Sequence, residues 1–274
     1  MPGRSAGREG NEIVEGYRWS TGRVFAHLAV GLGAGLLSGM FGVGGGIVIV
    51  PLLVLVLGYP QRLASGTSLA AIIPAASVGV ISYALSNDVA WIPALILAAG
   101  AVIGAQIGTW LLPRVPVRVL QFGFAAFLIV VIVSLFLVIP SRGEPFELSV
   151  LIVVGLVVLG LITGVLSGLL GVGGGIIVVP ALMLLFGTSD LIARGTSLLM
   201  MIPTALSGTF GNVRRKNVNI LGAVLVGGAA CTTTALGAFI TKSVDPLSAN
   251  VIFAVFLFFI AVQMIVRAIR GRSK

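Results

Sequence analysis

A chain of 274 residues, 58% hydrophobic and 9% charged, with a mean hydropathy of +1.16, falls far below the charged share of about 25% typical of water-soluble domains, which excludes a soluble globule. Its formal net charge of +9 would point to nucleic acid in a soluble protein. Here the basic residues flank apolar segments and report orientation across a bilayer, so the expected surroundings are lipid and no nucleic-acid partner.

Residues 1–23 are polar and Gly-rich and read as a cytoplasmic tail, with Tyr17 and Trp19 as interfacial anchors. A cleaved signal peptide is the competing reading, opposed by an internal twin of 24–43 at 153–172. From 24 to 57 a Gly-broken apolar helix leads into Gly42-Val43-Gly44-Gly45-Gly46 and then a short apolar segment, which is marginal against the roughly 20 residues a span requires. A re-entrant hairpin and two short crossings both fit, since irregular backbone survives at that depth only where protein or a water cavity covers it. Spans are predicted at 66–86, 91–112 and 118–139, completing a first transmembrane repeat over 24–139. After an extracytoplasmic linker at 140–149, a second repeat over 150–270 begins with the same broken pair at 150–186, now with Gly171-Val172-Gly173-Gly174-Gly175. It continues with spans at 195–213, 217–240 and 247–266, and a cytoplasmic tail, 271–274, closes the chain. The expectation is an all-α polytopic membrane protein of 8–10 membrane helices, two of the units being Gly-broken hairpins.

The two repeats are related by one fixed offset, the one that carries Gly42 onto Gly171. Aligned without a gap, 31–74 and 160–203 agree at 24 of 44 positions, including Ser38/Ser167, Pro51/Pro180, Gly66-Thr67-Ser68/Gly195-Thr196-Ser197 and Pro74/Pro203. With the N-terminus inside, Arg4, Arg8, Arg18, Arg23, Arg62, Arg114, Arg118, Arg214, Arg215, Lys216, Arg267, Arg270, Arg272 and Lys274 fall on the cytoplasmic face, and only Arg142, Arg194 and Lys242 fall outside. Three spans plus a hairpin make an odd number of crossings, so the second copy enters from the opposite side. Inverted repeats of this kind are a recurring construction of secondary transporters, with substrate held near the midplane by broken helices.

Three consecutive glycines permit positive φ and close backbone approach. The short helices that follow start with unpaired N–H groups and the positive end of a dipole, which favours an anion without any charged side chain. Gly44, Gly45 and Gly46 with Gly173, Gly174 and Gly175 are therefore the candidate substrate-binding backbone. Thr67-Ser68 and Thr196-Ser197, read as beginning the next helix of each half, would cap it or offer hydroxyls to the same ligand. Arg194, where the first half has Ser65, would draw an anion towards the site, or is a solvated loop charge. The competing reading of all these small residues is close helix packing, which accounts best for Gly31, Gly35 and Gly39 and for Gly100, Gly104 and Gly108 at four-residue spacing.

The Gly31-x-Gly33 run has neither a preceding strand nor a following acidic residue and is no dinucleotide site, and no P-loop occurs. All eight acids, Glu9, Glu12, Glu15, Asp88, Glu144, Glu147, Asp190 and Asp245, are placed in the tail or loops, and nothing resembles a catalytic constellation or a metal cluster, so neither enzymatic activity nor a cofactor is expected. His27 reads as an interfacial side chain, with proton coupling as the alternative. Gln106, Thr232-Thr233-Thr234 and Asn212 either line a polar path or satisfy helix contacts. Cys231, the single cysteine, excludes an intrachain disulfide and most simply packs.

The duplicated pattern Ser-Gly-x-x-Gly-Val-Gly-Gly-Gly, then Pro, then Gly-Thr-Ser-Leu, in 38–69 and 167–198, resembles the TauE/SafE family of sulfite and organosulfonate permeases, over about residues 24–270. That resemblance implies movement of a small sulfur-containing anion, such as sulfite, sulfoacetate or another organosulfonate, across the cytoplasmic membrane. It places the family's glycine motifs on Gly42–Gly46 and Gly171–Gly175 and its threonine-serine elements on 67–68 and 196–197, whereas Arg194 departs from the small or apolar residue expected before Gly-Thr-Ser. A proton as coupling ion and a homodimer are both compatible with it. A non-transporting membrane scaffold and a passive anion channel are the competing readings.

Overall fold

Each half of the chain opens on the same local instruction. Ser20 and Ser149, equivalent positions of the two repeats, stand as N-caps whose hydroxyls accept from the N–H of Arg23 and Ile152 at 3.4 and 3.3 Å, satisfying one of the orphan donors of a helix start. The helices they begin, α1 (Thr21–Phe41) and α6 (Val150–Leu170), both end on a glycine in the left-handed region, Gly42 and Gly171, whose N–H groups return to the carbonyls of Ser38 and Ser167. The computed structural model describes residues 20–137, 149–241 and part of a helix between 251 and 269. Residues 1–19 of the tail predicted over 1–23, the tail 271–274, the linker residues 140–148, Tyr17, Trp19 and most of the predicted 247–266 span lie outside the described residues, and 21–23 form the start of α1.

Among the described residues the chain is all-helical. After α1 come α2 (Gly46–Leu55), α3 (Gln61–Ala84), α4 (Trp91–Leu111) and α5 (Val117–Leu137); after α6 come α7 (Gly175–Phe186), α8 (Asp190–Arg214) and α9 (Ile220–Thr241). Six of these, α1, α3, α4, α6, α8 and α9, are long and apolar enough to cross a membrane. The 21 residues of α1 and of α6 are continuous, so the expected glycine break falls after each of these helices and not within it. The second arms, of 10 and 12 residues, reach roughly 15–18 Å at 1.5 Å per residue, about half a hydrocarbon core.

Helices α3 and α8 start at Gln61 and Asp190, five residues before the spans predicted at 66 and 195. Charge had marked those boundaries in the sequence, whereas the helix start is set by Pro60 and by Ser189, whose hydroxyl accepts from Ile192 N–H at 3.3 Å. Asp190 consequently lies in the first turn of α8 and not in a loop. Thr67-Ser68 and Thr196-Ser197 fall in the second turn of their helices and do not cap them.

The halves are interleaved. α1 packs along α9 and α4 packs along α6, so the first helix of each half lies against the fourth helix of the other. α3 and α8 pack against one another at the centre, α3 also touching α9 and α8 touching α4. Glycine makes the long seams possible. A Cβ on Gly31, Gly35 or Gly39 would strike the Val226, Ala230 or Thr234 carbonyl, and one on Gly160, Gly164 or Gly168 the carbonyls of Leu97, Ala101 or Ala105, which are the equivalent contacts with the halves exchanged. Gly100, Gly104 and Gly108 close on Val157, Leu161 and Val165, so these runs are packing faces. Large apolar side chains such as Leu95, Ile103, Leu185 and Phe239 point outward and are exposed, a surface suited to hydrocarbon.

Candidate functional site

The two glycine turns are buried from Phe41 to Val50 and from Gly171 to Ile176. Gly44 and Gly45 have φ of 68° and 72°, and Gly173 and Gly174 have 85° and 87°, a region L side chains rarely occupy. Gly45 and Gly174 are the N-caps of α2 and α7 and, lacking side chains, offer no capping bond. The N–H groups of Val48 and Ile49 both turn back to the Gly45 carbonyl at 2.9 Å, and those of Ile177 and Val178 to the Gly174 carbonyl at 3.1 and 3.3 Å. The N–H groups of Gly46, Ile47, Gly175 and Ile176 have no acceptor among the described residues. Each turn thus ends in two unpaired donors at the positive end of a helix.

The turns touch. A Cβ on Gly46 would lie 2.6 Å from the Val172 carbonyl oxygen, and one on Gly175 would lie 2.6 Å from that of Gly42. Ile72 of α3 and Met201 of α8, themselves equivalent positions, fill the space beside both Gly44 and Gly173. Met201 is fully buried, and its Cε is the nearest atom at either glycine. An unbranched thioether in that position can turn aside more readily than a branched side chain.

The hydroxyls of the Thr-Ser pairs bridge the halves. Ser68 Oγ donates to the Gly171 carbonyl at 2.8 Å and Ser197 Oγ to the Gly42 carbonyl at 3.0 Å. Thr67 Oγ1 accepts from Asn219 N–H and Thr196 Oγ1 from Ala90 N–H, both at 3.0 Å. The two serines secure the glycine turns to the central helices, and the two threonines secure the chain just before α9 and α4. Ser65 and Arg194, one step before each Gly-Thr-Ser, do related work with different chemistry. Ser65 Oγ donates to the Leu170 carbonyl at 3.1 Å, and Arg194 Nη1 to the Met40 carbonyl at 2.6 Å. Arg194 also pairs with Asp190 at 3.4 Å and lies over the Phe41 ring. It is a largely buried residue in the first turns of α8 and not a solvated loop charge; its guanidinium sits at the last carbonyls of α1, where a cation is favoured.

Other residues singled out in the sequence stand apart from the turns. His27 is buried, with Nδ1 2.7 Å from the Arg23 carbonyl and Nε2 3.0 Å from Tyr59 Oη, so it packs inside the protein near the start of α1. Gln106 donates to the backbone and hydroxyl of Ser207 at 2.7 and 2.8 Å. Thr232, Thr233 and Thr234 donate to the Ala229, Leu32 and Ala230 carbonyls, each at 2.7 Å. Asn212 Nδ2 donates to the Gly208 carbonyl at 3.0 Å, leaving Oδ1 unpartnered. Cys231 is half-buried. No cluster of side chains able to hold a metal ion occurs among the described residues. Two features at the turns had not been singled out as site residues: the Ile72/Met201 pair, whose apolar identity carries no signal, and Ser38 with Ser167, whose only signal was exact repetition.

The family model for the sulfite exporter TauE/SafE matches residues 5–135 and 156–274. The probable membrane transporter protein YunE of Bacillus subtilis is 29% identical over 266 residues, covering 88% of this chain and 97% of its own length. A probable membrane transporter protein of Haemophilus influenzae is 29% identical over 259 residues with the same coverage, and one from Xylella fastidiosa is 30% identical over 193 residues, covering 69% of this chain and 72% of its own. No solved structure matches the chain.

Proposed function

We propose that this chain, which belongs to the sulfite exporter TauE/SafE family of membrane transporters, carries a small sulfur-containing anion, sulfite or an organosulfonate, across the cytoplasmic membrane by alternating access. The observation that carries the proposal is the contact between the two glycine turns: two helix starts with unpaired N–H donors meet at one place. Each supplies a partial positive charge worth roughly 0.3–1 kcal/mol at a surface and up to about 2 when partly buried. Together they favour an oxyanion where a lysine or arginine would be costly to bury.

In this reading the halves lie antiparallel in the membrane with both chain ends cytoplasmic, as the fourteen-to-three distribution of basic residues favours. Reciprocal contacts between equivalent residues, Ser68 with Gly171 and Ser197 with Gly42, are what a two-fold relation between the halves produces. Such a pair gives a carrier two related states, each opening the shared site to one side. Ile72 and Met201 fill the space beside Gly44 and Gly173 and withdraw when the anion enters. Arg194, already engaged by Met40 and Asp190, belongs to the latch that holds α1 against α8 and not to the anion's immediate ligands.

Counterflow in proteoliposomes tests the reading. A carrier accumulates labelled sulfite against internal unlabelled sulfite and saturates, whereas a channel shows neither behaviour and a scaffold shows no flux.

A further inference from the structure

Ser38 and Ser167 occupy equivalent positions in the two halves, each one helical turn before the glycine that ends its helix. They are 0% and 1% exposed, and neither Oγ has a hydrogen-bond partner among the described residues. This departs from the chain's own habit. Ser77, Ser82, Thr163, Thr204 and Thr234 each donate to the carbonyl one turn back, at 2.6 to 2.9 Å, the local bond open to any helical hydroxyl. Buried polar groups are ordinarily paired, and alanine would remove the unpaired group at little steric cost, yet both halves retain the serine.

Their place in the fold explains what the hydroxyls are held for. Ala34, one turn before Ser38 on the same face of α1, has its carbonyl oxygen 2.8 Å and its Cβ 3.3 Å from where a Gly45 side chain would be. Thr163, one turn before Ser167, stands in the same relation to Gly174, with its Cγ2 at 2.5 Å. The stripe of α1 that carries Ser38 therefore faces the start of α2, and the stripe of α6 that carries Ser167 faces the start of α7. Each unpaired hydroxyl therefore lies on the helix stripe that faces the turn carrying the unpaired N–H groups of Gly46 and Ile47, or of Gly175 and Ile176.

We infer that Ser38 and Ser167 are ligating residues of the anion site, one from each half, donating to the oxygens of a pyramidal –SO3 group. The inference rests on the two-turn site proposed above and adds its side-chain ligands and its preference. A centre with three oxygens accepts from both hydroxyls and from both helix starts together, whereas a planar carboxylate has only two oxygens to distribute. All the donors are neutral, so the charge of the bound species is met by hydrogen bonds that shorten and strengthen on an anion.

The test uses the full chain in lipid nanodiscs, titrated separately with sulfite, methanesulfonate and acetate. Ser38→Ala and Ser167→Ala should each raise Kd for sulfite and methanesulfonate by about tenfold or more, the loss of one hydrogen bond to a charged group. Acetate should bind more weakly than methanesulfonate to the wild-type chain, and the Tm without anion should not fall in either variant, since each removes a hydroxyl that has no protein partner. Ser38→Thr, which keeps the hydroxyl, should retain affinity. Folded alanine variants with unchanged affinity, alongside a Gly45→Ala variant that loses binding, would overturn the serine assignment and leave the glycine site standing. A wild-type chain that binds neither sulfite nor methanesulfonate would overturn the site itself, and the serine assignment with it.

Discussion

The hydroxyl of Ser68 reaches across the seam between the halves to the carbonyl of Gly171, the glycine that ends α6, at 2.8 Å. The equivalent bond, Ser197 to Gly42, closes the reverse contact at 3.0 Å. Both glycines are in the left-handed region, so each hydroxyl satisfies a helix-end carbonyl that the turning chain has left behind. Ser68→Ala and Ser197→Ala should each destabilise the protein by about 1–3 kcal/mol, because a buried carbonyl loses its partner. Thermal unfolding in nanodiscs reads this directly, and a Tm equal to that of the parent chain would show that the turns are held by other contacts.

The glycine seams make a stronger prediction. At Gly164 any added Cβ strikes the backbone of Ala101, and backbone cannot rotate away as a side chain can. Gly164→Val should separate α6 from α4 and abolish accumulation of folded protein, as should Gly35→Val between α1 and α9. Gly33→Ala, with nothing within 4 Å, is the control expected to fold normally. Equal yields of folded protein from Gly33→Ala and Gly164→Val would contradict the packing.

Arg194 separates structural from ligand-binding roles. Because its guanidinium already serves Met40 and Asp190, Arg194→Gln should lower Tm while leaving Kd for sulfite within about threefold, a difference under roughly 0.7 kcal/mol. A tenfold or larger loss of affinity at unchanged Tm would instead make Arg194 an anion ligand.

Met201 lies beside both turns, its Cε nearest to Gly44 and to Gly173. Met201→Ala should cost about 2–5 kcal/mol of stability through the lost packing yet preserve sulfite binding, since the anion takes up part of that volume. Met201→Phe should suppress counterflow by blocking the same space. If Met201→Ala folds but no longer binds sulfite, the methionine is part of the site and not its plug.

Much of this molecule was legible in the sequence because duplication writes each feature twice. The fixed offset picked out the glycine turns, the Thr-Ser pairs and Ser38/Ser167, and four-residue spacing identified Gly31, Gly35 and Gly39 and Gly100, Gly104 and Gly108 as packing faces. Helix starts were less legible, because Gln61 and Asp190 follow caps whereas the span boundaries had been drawn at charges. The Thr-Ser pairs looked like caps for the same reason, and only the fold shows them inside their helices, bonded across the seam. His27 lies near a helix end, a place the sequence shows, but the partner that buries it, Tyr59, is 32 residues away in sequence, a distance no local pattern spans. Met201 carries no polar signal, so its position beside both turns is visible only once α3 and α8 are packed together.

Calorimetric titration of the purified chain with sulfite decides whether the two turns form one anion site shared by the halves. One anion per chain is expected, with Gly45→Ala alone and Gly174→Ala alone each abolishing binding in a protein that still folds. Two sites per chain, with each substitution removing only one of them, or undiminished binding in both folded variants, would contradict it.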